Sequence, residues 1–163
     1  THYTTALDLA RLGAHAMKNK EFAEIVGTRE KRVPYDGIQN GRRLVNHNAL
    51  LKLYDGACGI KTGFTKKSGR CLVSCARRNG LTLVAATLNG PDDWNDHMYL
   101  LNYGFSVLQP TPLLTVSPDI RATVVGGEKD FVSCRVDTEN LTAALRPEEV
   151  PRVKMHVLLR PFY

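Results

Sequence analysis

The sequence predicts an α+β fold: helices packed on an antiparallel sheet, followed by a small β-rich domain. Three observations carry this. Apolar residues recur at helical spacing near the N-terminus and again at Trp94, Met98, Leu101 and Phe105. Two largely apolar strand patterns in the centre are joined by Asn79-Gly80, a pair that accepts positive φ at both central positions of a hairpin turn. From Gln109 onward Pro110, Pro112 and Pro118 interrupt the chain and short strand patterns replace the helical period.

The elements follow in order. Thr4 or Thr5 caps a first helix, with Asp8 in its first turns, where the macrodipole favours an acid. Leu9, Leu12 and Ala16 form its apolar stripe, with Met17 on the flank, and Asn19 ends it. A second helix spans Glu21 to Val26 and stops near Gly27. Residues 28–35 are charged and extended, with Pro34 as a breaker and Asp36-Gly37 as a turn. Asn46 to Leu51 reads as a capped short helix ending near Asp55-Gly56, with Asn46 and Asn48 as capping residues.

Cys58 to Thr65 is a short strand broken by Gly59 and Gly63, and Arg70 to Arg77 is a largely apolar one. Leu81 to Leu88 returns antiparallel to it. Near-continuous apolarity means that this pair is covered on both faces. Pro91, Asp92 and Asp93 open the long helix whose stripe includes Trp94 and Phe105, both read as core. Ala122–Val125, Phe131–Val136 and Val153–Leu159 read as strands of the second domain. The boundary falls near residues 107–112, giving domains 1–108 and 109–163, the second too small to carry a large core.

Composition narrows the function. The chain has 163 residues, 43% hydrophobic and 23% charged, which is globular. Its net charge is +6, but the basic residues come as separated pairs, such as Arg42-Arg43 and Lys66-Lys67, without interleaved aromatics. Nucleic acid is therefore not an expected partner. The five histidines show no metal-binding spacing, and Asp92, Asp93 and Asp96 beside His97 read as first-turn acids, so neither a metal nor a cofactor is expected. None of the four cysteines forms a C-x-x-C pair. Cys71 and Cys75 lie about 13 Å apart if both are on one strand, so free buried thiols are expected. The chain opens on Thr1-His2-Tyr3 and goes almost at once into a helix, which reads as a start inside a larger protein.

The chemistry concentrates in Gly59-Ile60-Lys61-Thr62-Gly63. On an exposed edge strand facing a cleft, Lys61 supplies a fixed positive charge and Thr62 a hydroxyl donor. Gly63, lacking a side chain, lets a substrate backbone approach and pair as an added strand. Lys-Thr-Gly is the third element of penicillin-binding proteins and β-lactamases. Its surroundings here are Thr1 to Ala10, Asn46 to Leu51, Gly59 to Thr65, Ser68 to Val73 and Leu100 to Phe105. In that order and spacing the chain resembles the serine-type D-Ala-D-Ala carboxypeptidases, the low-molecular-mass penicillin-binding proteins of the S11 peptidase kind.

The resemblance implies an incomplete penicillin-binding/β-lactamase-like transpeptidase domain over residues 1–107. It implies an enzyme that trims terminal D-alanine from peptidoglycan stem peptides through an acyl-enzyme, and β-lactams acylating the same serine. It implies a parent at the bacterial cell envelope, outside the cytoplasm. Lys61, Thr62 and Gly63 would grip the substrate carboxylate, and the backbone of Thr62 or Phe64 would line the oxyanion hole.

The chain also departs from the family pattern. None of its five serines is followed three residues later by lysine, and Ser74-Cys75-Ala76-Arg77, the nearest approach, lies on an apolar strand. No catalytic residue is therefore expected in this chain; nucleophile and base are expected upstream. Some family members place an arginine near the substrate carboxylate at the start of the helix before Leu-Leu-x-x-Gly-Phe, where this chain has Asp92-Asp93-Trp94. Two readings follow. One is a C-terminal fragment of a carboxypeptidase, inactive alone, whose exposed apolar face is covered by the missing N-terminal portion or by a second copy. The other is a non-catalytic module that binds cell-wall peptides or a protein.

Overall fold

The computed structural model describes residues 3–37, 39–114, 119–136 and 141–158. The chain divides into two compact units, Thr1–Val107 and Leu108–Tyr163.

In the first unit, α1 (Ala6–Ala16) is capped by Thr5, whose Oγ1 accepts from the Asp8 backbone N–H at 3.1 Å and donates to Asp8 Oδ2 at 2.8 Å. Asn19 does not simply end this helix. It caps α2 (Lys20–Gly27), its Oδ1 accepting from the Phe22 N–H at 3.0 Å. The charged segment pairs as a hairpin, β1 (Glu30–Val33) with β2 (Arg42–Val45). The second strand was not legible because all four of its residues are exposed and show no alternation. A short α3 (Leu50–Leu53) then buries Leu50 and Leu51.

The centre is a three-stranded antiparallel sheet in the order β3 (Ala57–Thr65), β4 (Gly69–Arg78), β5 (Leu81–Thr87). Gly59 and Gly63 do not break β3; the strand runs nine residues, with one register irregularity between Ala57 and Gly59. Asn79 (φ 48°) and Gly80 (φ 81°) make the expected turn. The sheet is covered on both sides. On one, α4 (Asp93–Val107) and α3 close a core of Leu50, Tyr54, Leu72, Ala76, Ala85 and Leu101, with Trp94, Met98 and Phe105 packed against it. On the other lies α1, where Gly13 is buried: a Cβ there would sit 3.0 Å from Ile60, 3.1 Å from Val73 and 3.3 Å from Val84.

The cysteine expectation is corrected. Cys58 and Cys75 form a disulfide, with Cα atoms 5.4 Å apart; Cys71 and Cys134 are free. Spacing along one strand correctly separates Cys71 from Cys75. The partner came from the neighbouring strand: Gly59 stands opposite Cys75, and Cys58 is the next residue.

In the second unit, β6 (Gln109–Pro112) pairs with β9 (Thr142–Leu145), and β7 (Ile120–Thr123) with β8 (Phe131–Cys134), as two separate antiparallel pairs. The strand expected over Val153–Leu159 is not formed: a 3-10 turn spans Val150–Arg152, residues 153–158 are irregular, and Leu159 lies outside the described residues. Apolar residues there alternate with polar ones, but no neighbouring strand pairs with them.

Candidate functional site

β3 is an edge of its sheet, with only β4 beside it in the strand order. Its N-terminal half is covered, since Gly27 and Val26 of α2 press on Cys58 and Gly59. Its C-terminal half is open: Lys61, Gly63, Phe64 and Thr65 are exposed and Thr62 half-buried. An edge strand with open backbone N–H and C=O groups is a template for an added extended peptide.

A concavity of about 400 Å³ lies along this half. Its lining joins Lys61, Thr62, Gly63 and Phe64 of β3 to Arg70 of β4, to Asp93 and Trp94 at the start of α4, and to His47. All four site residues anticipated from the sequence therefore border one cleft. The Lys61 ammonium donates to the Thr62 carbonyl at 2.6 Å, which holds the charge at the strand. Cross-strand partners share a face, so Thr62 lies on the face of Leu72 and Thr87, toward α4, and Lys61 beside it borders the same concavity. Lys66 and Lys67 occupy the solvated turn between β3 and β4.

The far wall was not anticipated. Asp93, only 3% exposed, accepts from Arg70 Nε at 3.1 Å and Nη2 at 2.8 Å through one carboxylate oxygen. The Arg70 guanidinium lies 5.7 Å from the Trp94 ring centre. Trp94 thus packs on the core and borders the cleft together. The first-turn acids are engaged by neighbours: Asp93 by Arg70, Asp92 by the Asn95 side chain at 2.9 Å. His97 is held between two hydroxyls, Ser74 Oγ at 2.6 Å and Thr87 Oγ1 at 3.0 Å.

Behind His47, Asn46 Nδ2 donates to the carbonyls of Val26 and Thr28, and its Oδ1 accepts from Asn48 N–H. Asn48 Oδ1 caps Leu50 N–H at 3.2 Å. Both asparagines therefore order the chain entering α3. Asn48 Nδ2 is the buried side-chain donor that has no hydrogen-bond partner among the described residues.

The sequence model of the D-alanyl-D-alanine carboxypeptidase family, peptidase S11, matches residues 1–92. This chain belongs to that family. The D-alanyl-D-alanine carboxypeptidase of Streptomyces sp. (strain K15) is 34% identical over 113 residues, covering 65% of this chain and 39% of that protein. The corresponding enzyme of Mycobacterium tuberculosis is 36% identical over 64% of this chain and 37% of its own length. A Bacillus subtilis D-alanyl-D-alanine carboxypeptidase is 24% identical but aligns over 98% of this chain, through the second unit, and 42% of its own. The crystal structure of the Streptomyces K15 DD-transpeptidase superposes with a TM-score of 0.61 at 33% identity, over 65% of this chain and 43% of that one. The chain thus spans about two fifths of the length of the curated relatives it matches. Its helices and antiparallel sheet are part of a DD-peptidase domain.

Proposed function

We propose that this chain supplies the carboxylate-binding edge strand of a serine D-Ala-D-Ala carboxypeptidase. The observation that carries the reading is the cleft along the open half of β3, lined by Lys61, Thr62, Gly63 and Phe64. The substrate is a peptidoglycan stem peptide ending in D-Ala-D-Ala. It lies along the strand edge, with its terminal carboxylate toward Lys61 and Thr62. A serine from a Ser-x-x-Lys segment upstream of residue 1 in the complete protein attacks the penultimate carbonyl. The peptide bond breaks, D-alanine leaves with a proton from the general base, and water then hydrolyses the acyl-enzyme. Backbone N–H groups near Thr62 and Phe64 face the developing oxyanion. β-Lactams acylate the same serine. The parent works outside the cytoplasm, at the cell envelope, and its N-terminal portion covers the apolar surface that this chain leaves open.

This reading assigns the nucleophile to no residue here. Ser74 is fully buried and hydrogen-bonded to His97, out of reach of the cleft. The test compares the complete gene product with the isolated chain, using a fluorescent penicillin and diacetyl-Lys-D-Ala-D-Ala. The complete product is labelled and releases D-alanine, and Lys61→Ala lowers both by roughly 100-fold. The isolated chain does neither, and its stoichiometric acylation would refute the assignment. A binding module is the second reading, favoured by the open edge of β3, which can pair with an extended cell-wall peptide or a protein segment without any catalytic group. Calorimetry of the isolated chain with the same peptide detects it, and the heat disappears in Lys61→Ala.

A further inference from the structure

Arg70 has a use beyond its ion pair. It stands opposite Phe64 in the β3–β4 register and borders the same cleft as Lys61, Thr62 and Gly63. Its side chain is 45% exposed, yet it is held by two neighbours, Asp93 and Trp94, while its backbone is fixed in β4. Its backbone carbonyl accepts from Gly90 N–H at 3.0 Å, its Nε and Nη2 donate to Asp93 Oδ1, and its guanidinium lies against Trp94. Such anchoring removes most of the rotamer freedom that an exposed arginine would lose on gripping a ligand.

The anchoring also leaves donors over. Both bonds to Asp93 run from the Nε/Nη2 side of the fork, and no bond among the described residues uses Nη1. If neutralising the buried Asp93 were the whole role, any cation would serve; a planar fork that borders the cleft and keeps the N–H groups of Nη1 unused suits a carboxylate. The charges agree: the lining carries two cations, Lys61 and Arg70, against one anion, Asp93, a net of one positive charge for a monoanionic ligand.

We propose that Arg70 is the second cation that binds the terminal carboxylate of the peptide in this cleft, with Asp93 and Trp94 as its positioning residues. The proposal rests on the reading of the cleft given above. It assigns carboxylate recognition to two neighbouring strands, with Lys61 from β3 and Arg70 from β4.

The test uses the complete gene product and two substrates, diacetyl-Lys-D-Ala-D-Ala and its C-terminal carboxamide. Arg70→Gln should lower kcat/KM for the carboxylate substrate by roughly 10- to 100-fold while the carboxamide changes little, so that the preference between them collapses. Because Arg70→Gln leaves Asp93 buried without a cation, the Arg70→Gln/Asp93→Asn double variant repeats the measurement with a neutral pair. The ratio of the two substrates does not depend on the folded fraction. An unchanged ratio in the double variant overturns the proposal, whether both rates hold or both fall together. Lys61→Ala separates the two readings. If it impairs turnover while the Arg70 variants keep the wild-type ratio, Arg70 alone is excluded. If the wild-type product hydrolyses neither substrate, the reading of the cleft falls, and this proposal with it.

Discussion

Ser74 Oγ lies 2.6 Å from Nδ1 of His97, and neither side chain is exposed to solvent. A serine beside a histidine usually invites a catalytic reading. Here the second ring nitrogen is occupied by Thr87 Oγ1, and the three side chains tie α4 to β4 and β5 in the interior. The pair is a polar tie across the sheet–helix interface, with its hydrogen bonds made internally.

This arrangement sets a pH dependence. Burial pushes the His97 pKa down from 6.5 to about 4, against a smaller upward pull from Asp93 and Asp96. The imidazole is therefore neutral in the native state at neutral pH and protonates more readily when the chain unfolds. A lowered histidine pKa makes the unfolded state bind more protons between about pH 4 and 6.5. The contribution of His97 is whole above pH 6.5 and declines as the pH falls to 4, by about 3 kcal/mol. Urea unfolding of the chain from pH 7.5 to 4.5 should show this loss. His97→Gln, which cannot titrate, should flatten that part of the profile; an equally steep profile in the variant would assign the loss to other groups.

The Cys58–Cys75 bridge closes a loop between residues 17 apart and ties β3 to β4 just before Lys61. A loop of this size corresponds to about 3 kcal/mol of stability in the chain-entropy account. Without reductant the native protein should yield two titratable thiols, from Cys71 and Cys134, and four after reduction under denaturing conditions. Cys58→Ala/Cys75→Ala should lower the unfolding free energy by about 2–4 kcal/mol. Four thiols in the unreduced protein would contradict the bridge.

These two features mark where sequence reasoning stopped. The helices, the Asn79-Gly80 hairpin and the core stripe of α4 were legible because each rests on local period or local turn chemistry. The grouping of Lys61 to Phe64 in one site was suggested by the side-chain-free Gly63 and the resemblance, although Gly59 and Gly63 were expected to break the strand that carries them. The far wall of the cleft was not legible. Asp93 and Arg70 are 23 residues apart, and nothing local says that a first-turn acid will bury itself against an arginine from β4. The disulfide was missed for the same reason, since its partner depends on cross-strand register. In the second unit, β6 begins at Gln109-Pro110, and prolines argue against a strand unless it lies at an edge, as it does in this two-stranded pair.

Gly56 is a position where backbone geometry is exacting. It has φ of 77°, and its carbonyl accepts from Arg77 N–H at 2.8 Å at the entry to β3. A Cβ there would collide with the Arg77 carbonyl oxygen, a backbone atom that cannot move without disturbing β4. Gly56→Ala should therefore destabilise the chain by about 2 kcal/mol or more, combining left-handed strain with the clash. Gly80→Ala, with a similar φ of 81° but open space around the added carbon, should cost only the strain, about 1 kcal/mol. Equal losses at both positions, measured by thermal unfolding, would show that the collision relaxes freely.

The outer surfaces of α1 and α2 carry the last prediction. Leu7 and Leu12 are 58% and 62% exposed and Ile25 is 71% exposed. Several large apolar side chains left in water favour association or a covering segment. The isolated chain should bind an apolar dye and sediment as more than a monomer, and Leu12→Glu/Ile25→Glu should abolish both without lowering its unfolding midpoint. In the complete gene product, where the upstream portion covers this surface under the proposed reading, the same pair of substitutions should destabilise by about 2 kcal/mol per buried side chain lost. A monomeric isolated chain with no dye binding, together with an unaffected complete product, would show that these side chains face solvent in both.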